Sequence, residues 1–95
     1  MTITHEAEKH RFVAYGDDGK RMGAIAYSPR DDESILATHT VVEKEFQGYG
    51  VGRDLLDALA SYARDNSLKI IPLCGFVIAE FERNPSRYHE VIQDD

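Results

Sequence analysis

Hydrophobic and polar positions along the chain fall into short blocks whose period changes about halfway. Arg11 to Tyr15 is apolar and strand-prone, and Gly16-Asp17-Asp18-Gly19 then supplies residues that accept positive φ or bond their own backbone, which predicts a hairpin. The returning segment Lys20 to Tyr27 sets Met22, Ala24 and Ala26 on one side and Gly23, Ile25 and Tyr27 on the other, so both faces of this strand are expected to be covered. After the turn Ser28 to Asp32, the β-branched and aliphatic run Ser34 to Val42 predicts a third strand, giving three strands before a glycine-rich turn.

Beyond Gly52 the period becomes helical. Leu55, Leu56, Leu59, Tyr62 and Ala63 share one face, while Asp54, Asp57, Ser61, Arg64 and Asp65 share the other. Asn66 is the expected left-handed cap. Leu68 to Cys74 then reads as a short buried strand, with Pro72 at its end or at a bulge. Strand, helix and strand in this order predict a parallel βαβ crossover. A second helix is expected from Gly75 to about Arg83, stopped by Asn84-Pro85, with one more turn in the tail through Tyr88 and Ile92.

The chain of 95 residues, 42% of them hydrophobic and without a low-complexity spacer, is expected to form one α+β domain over residues 1–95, with its core over about 10–88. A net charge of −6 with eleven scattered Lys and Arg disfavours nucleic acid, which calls for a basic face. No run approaches the roughly 20 apolar residues that cross a bilayer, so no membrane partner is expected. A single cysteine and a start without signal-peptide character point to the cytoplasm, as a monomer or weak homo-oligomer.

The chemistry concentrates in Phe46-Gln47-Gly48-Tyr49-Gly50-Val51-Gly52. Glycines at alternate positions let backbone amides converge on one point, and the helix beginning there adds partial positive charge, so a phosphate is the expected guest; a tight strand-to-helix connection is the bland alternative. A Walker A loop would require a Gly-Lys-Ser/Thr that the sequence lacks, and a dinucleotide fingerprint would place glycine where Arg53 stands.

Gln47-x-x-Gly50-x-Gly52, together with Ile71-Pro72-Leu73-Cys74 and Arg83-Asn84-Pro85-Ser86, resembles the very short, single-domain members of the GNAT superfamily of N-acetyltransferases, over about Arg11 to Tyr88. The resemblance implies a minimal α/β GNAT-like fold and acetyl-coenzyme A (acetyl-CoA) as cofactor. The backbone of Thr40, Val41 and Val42 would pair with the pantetheine arm, and the amides of Gln47, Gly48, Tyr49, Gly50, Val51 and Gly52 would hold the pyrophosphate. Splayed parallel strands would form the slot between them. Arg53 is either a phosphate ligand or a solvated surface arginine.

Transfer of an acetyl group to an amine requires removal of a proton from a group whose reference pKa is about 10.4. His39 is the candidate base, expected on one face with Ile35, Ala37 and Val41; the alternative is a hydrogen-bonded core histidine. Cys74, at a strand end just before a helix, is either a participant that carries an acyl group or helps the leaving thiolate, or a packed residue. The tyrosine that larger family members often carry in the following helix has no match between Gly75 and Arg83. Asn84 is a helix-stop residue or a minor cofactor ligand. His5, His10 and His89 lack metal-ligand spacing, so no metal is implied and no role is assigned to them. Larger members also wall the acceptor pocket with two helices between their first strands, and here that interval holds only strands and turns. Its absence suits an exposed or macromolecular amine acceptor. It equally suits a coenzyme A-binding or acyl-sensing module without turnover.

Overall fold

A computed structural model describes residues 1–92. Five strands lie in one sheet in chain order: β1 (Thr2–Glu6), β2 (Arg11–Tyr15), β3 (Arg21–Pro29), β4 (Ser34–Val42) and β5 (Lys69–Pro72). Neighbours are antiparallel up to β4, and β4 and β5 are parallel across helix α1 (Val51–Asp65). Helices α2 (Gly75–Arg83) and α3 (Pro85–Tyr88) follow. The mixed sheet with its crossover is the expected α+β, GNAT-like arrangement. No helix among the described residues is long and apolar enough to cross a membrane.

Four strands precede the glycine turn, not three. β1 escapes a pattern reading because Thr-Ile-Thr-His-Glu carries one aliphatic residue. It is held as a strand by its antiparallel register against β2, in which Ile3 faces Ala14 and His5 faces Phe12. His5, assigned no role from sequence, stacks on Phe12 with ring centroids 4.2 Å apart, and its Nε2 lies 2.6 Å from the Tyr27 hydroxyl. Burial, then the nearby His10, lowers its pKa.

The hairpin between β2 and β3 closes as its glycines require. Gly19 adopts φ +82°, and Gly16 donates to the Lys20 carbonyl at 2.8 Å. At the end of α1 the left-handed residue is Ser67 (φ +57°) rather than Asn66 (φ −107°). Leu68 then donates to the Ala63 carbonyl at 2.7 Å, the long bond of a Schellman closure, which puts the φ > 0 residue one place later than expected.

Phe12, Ile25 and Ile35 of the sheet, Leu55, Leu56 and Leu59 of α1, and Val77, Phe81 and Tyr88 from the last two helices belong to one buried cluster. The helices therefore share one face of the sheet. The other face is shielded by its own side chains, such as Val13 and Ala24, so the two-sided cover expected for β3 is helical on one side only.

An acidic residue ties α3 to α1. Asp57 accepts from Arg87 through both carboxylate oxygens (3.1 and 2.6 Å) and from the Tyr88 hydroxyl at 2.8 Å. Burial pushes the Asp57 carboxyl up, but the combined bonds from Arg87 and Tyr88 outweigh it and hold the pKa below the usual carboxylate range. A depressed folded-state pKa contributes stability above the unfolded value of about 3.9 that is lost as pH falls through the folded value. Asp57→Ala is expected to cost about 1–2 kcal/mol in urea unfolding at pH 7, and the gap from the unaltered protein should close below about pH 4. A gap that stays constant down to pH 3 would assign the loss to packing alone.

Candidate functional site

Strand β4 outruns its partner. Its ladder with β5 ends at Ala37 opposite Pro72, and the amides of Leu73 and Cys74 both converge on the Ala37 carbonyl, at 2.9 and 3.2 Å. With two successive amides spent on one carbonyl the ladder advances no further along β4, and the chain turns into α2. From Thr38 to Val42 β4 has no strand partner on its β5-facing side among the described residues, which opens a gap between the two parallel strands. Thr40 Oγ1 and Cys74 Sγ meet across this gap at 3.5 Å, and Cys74 stands at the N-cap of α2.

A bulge in β4 sets which side chains line the gap. Ala26 pairs with His39 and Tyr27 with Ala37, leaving Thr38 as the extra residue. One inserted residue reverses the alternation of side chains. Ile35 and Ala37 are buried on the helix side, whereas His39 and Val41 are exposed, and Val42 packs against the core. The expectation that His39 shares a face with Ile35 and Ala37 is therefore corrected. Only Val41 accompanies it, and His39 is not a core histidine.

At the end of β4 the chain enters a 3-10 turn, Lys44–Phe46, and then the glycine segment. Gln47 Nε2 donates to the Val42 carbonyl at 3.2 Å and fastens this segment to the strand end. Gly48 and Gly50 take φ of +89° and +79°, while Gln47 and Tyr49 keep negative φ. Alternating signs of φ turn successive amides to one side and form a concave nest for an anion. Among the described residues the amides from Gly48 through Arg53 donate no hydrogen bond, and the next, Asp54, donates to the Gly50 carbonyl at 3.0 Å. These unpaired donors stand at the positive end of a helix of 15 residues.

The three glycines have different reasons to be there. At Gly48 and Gly50 the backbone conformation demands glycine, and a Cβ would meet no atom within 4 Å. At Gly52 the demand is contact, because a Cβ would stand 2.9 Å from the Phe76 ring.

A cleft of about 400 Å³ opens over the amides. Val42 and Phe46 border it from the strand end, Gln47, Gly48 and Gly50 from the turn, Val51 to Arg53 from α1, and Phe76 and Glu80 from α2. Phe46 opens the stretch read from sequence as the cradle, whereas Phe76 and Glu80 were assigned no role there, although they stand four apart on one side of a predicted helix, a legible spacing. Tyr49 is 76% exposed and its side chain lies outside the cleft lining. Thr40 and Val41 sit further back along β4. Asn84 is not brought to the cleft: its backbone and side-chain amides both donate to the Glu80 carbonyl, at 2.9 and 3.4 Å, closing α2. The site residues are thus split between a donor-rich cleft and a strand gap carrying Thr40 and Cys74, with His39 on the uncovered face. Among the described residues no cluster of His, Cys, Asp or Glu is placed to hold a metal ion.

Comparison with known proteins agrees with this geometry. The sequence model of the GCN5-related N-acetyl-transferase family matches residues 11–91. A GCN5-like candidate N-acetyltransferase from Staphylococcus aureus, solved by NMR, is 33% identical over 99% of this chain and 89% of its own, with a TM-score of 0.78. A Mycobacterium tuberculosis protein crystallised with CoA is 28% identical over 84% of this chain, with a TM-score of 0.70; the chain spans 49% of that protein. An Escherichia coli GNAT family N-acetyltransferase in complex with CoA shares the fold at 20% identity over 74% of this chain and 42% of its own, with a TM-score of 0.64. No functionally curated protein matches. With the family's sequence pattern over residues 11–91 and its strand gap and glycine turn in place, the chain belongs to the GCN5-related N-acetyl-transferase family.

Proposed function

We propose that this family member is an N-acetyltransferase that uses acetyl-CoA, and the observation that carries the reading is the run of unpaired amides from Gly48 to Arg53 beside the strand gap. Those amides suit the cofactor's pyrophosphate, with Arg53 as a further cation. The β5-facing backbone of Thr40 to Val42, its last carbonyl held by Gln47 Nε2, suits the amide-bearing pantetheine arm. Crystal complexes of two relatives with CoA support the choice of ligand.

Acetyl-CoA supplies an activated thioester. The chain's own residues must admit an amine, take its proton and assist the departing sulfur. His39 is proposed as the base: the bulge leaves it exposed on the sheet face without helices, where a large amine-bearing acceptor has room to approach. Cys74, bonded to Thr40 at the gap, is proposed either to give a proton to the departing thiolate or to carry the acetyl group transiently. Residues 1–95 are read as one domain, working in the cytoplasm as a monomer or weak homo-oligomer.

Incubation with acetyl-CoA, followed by intact-mass measurement and thiol titration, tests this reading. Release of CoA thiol with an amine acceptor present is expected. Stable binding without thiol release across an amine panel would instead make the chain a coenzyme A-binding module. A mass increase of one acetyl group that disappears in Cys74→Ala would establish the covalent route. His39→Ala is expected to lower kcat by about 100-fold with little change in Tm, because the side chain is exposed. An undiminished rate would remove His39 from the mechanism.

A further inference from the structure

Arg53 stands in the first turn of α1, where the helix's own field disfavours a cation. Its counterpart is Glu80, only 3% exposed, whose Oε1 accepts from Arg53 Nε at 3.0 Å while Oε2 lies 3.5 Å from Arg83 Nη1. A carboxylate this buried needs its partners, and two arginines around one glutamate leave one positive charge in excess. Both Arg53 and Glu80 line the cleft. Among the described residues the Nε bond is the hydrogen bond that Arg53 makes, so its two terminal amino groups are unengaged, and half of the side chain is exposed.

We infer that Glu80 is a positioning residue that clamps Arg53 through Nε, fixing the guanidinium plane so that its two terminal amino groups are left for an anion in the cleft. This rests on the proposed cofactor reading. Two effects of Glu80 oppose each other, which gives the inference a sign. As a bare negative charge beside a phosphate site, Glu80 would weaken binding, and its removal would tighten it. As a clamp, its removal frees a long side chain that must then be ordered again on binding, which weakens it.

Calorimetry with CoA at fixed ionic strength separates the two. Glu80→Ala is expected to weaken CoA binding by about tenfold, and Arg53→Ala by a similar factor, with the double variant no weaker than Arg53→Ala alone. Glu80→Gln keeps an acceptor for Nε and should hold CoA affinity within about threefold of the unaltered protein. Arg53→Lys, an exposed substitution that does not threaten the fold, should lose as much as Arg53→Ala, since one ammonium cannot bond Glu80 and offer a planar donor pair. Pantetheine, which lacks the phosphates, should bind all variants equally, an outcome that a merely structural role for Glu80 would not produce. Unchanged or tighter CoA binding in Glu80→Ala, additive losses in the double variant, or full affinity in Arg53→Lys each overturn the clamp while leaving the cradle reading intact. Failure of the unaltered protein to bind CoA overturns both.

Discussion

Gly50→Glu is expected to reduce CoA affinity by at least about 100-fold while the protein still melts cooperatively, since losing two charge-assisted amide bonds of about 1.5–3 kcal/mol each suffices. The fold tolerates the change because a Cβ at Gly50 meets nothing within 4 Å. What it does not tolerate is the φ of +79°, where a side chain costs about 1–2 kcal/mol and pulls the turn toward negative φ. Relaxing that one angle re-aims the amides that follow it, and the new carboxylate repels the pyrophosphate from the same point. Gly50→Ala isolates the backbone part, with an expected loss of about tenfold. Circular dichroism and a thermal melt establish folding, and calorimetry reads the affinity. Equal affinity in Gly50→Glu and the unaltered protein would sink the cradle reading outright.

The geometry of the glycine turn was legible in sequence because its causes are local. Alternating glycines before an amphipathic helix prescribe both the φ pattern and the helix start, and α1 begins at Val51 as that pattern requires. Pro72, read from sequence at a strand end, is the last residue of β5, but the strand gap itself comes from Leu73 and Cys74 sharing the Ala37 carbonyl, which the sequence does not announce. Tertiary facts left no such trace. The bulge at Thr38, which turns His39 outward, depends on how β3 and β4 register across their bulk, and nothing in the run Ala37-Thr38-His39 distinguishes it from regular alternation. β1 lacks an amphipathic pattern and exists because β2 offers an edge and Phe12 offers a ring for His5 to stack on. Nothing in the helical run Gly75 to Arg83 marks Glu80 as a buried carboxylate. Buried in the structure, it is paired with two arginines, one of them 27 positions earlier in α1.

Because all the helices lie on one face of the sheet, a single central leucine carries a large share of the stability. Leu59 is wholly buried in the middle of α1, in the one cluster that joins sheet and helices. Leu59→Ala loses its transfer energy and leaves a cavity, about 3 kcal/mol, from a net stability on the order of 5–10 kcal/mol for a domain this small. At roughly 4–8 °C per kcal/mol for this chain length, Tm should fall by about 12–24 °C. The glycine turn at the start of α1 is expected to make this loss recoverable. A ligand that binds only the native state at about 100 times its Kd restores about 2.7 kcal/mol, so saturating CoA should return most of the lost Tm in Leu59→Ala. The same addition to the double variant Leu59→Ala/Gly50→Glu should return almost nothing, because the donors that would hold the pyrophosphate have been re-aimed. Recovery of equal size in both would mean that CoA stabilises the chain from somewhere other than the start of α1, and the link drawn here between the helix's first turn and its ligand would fail.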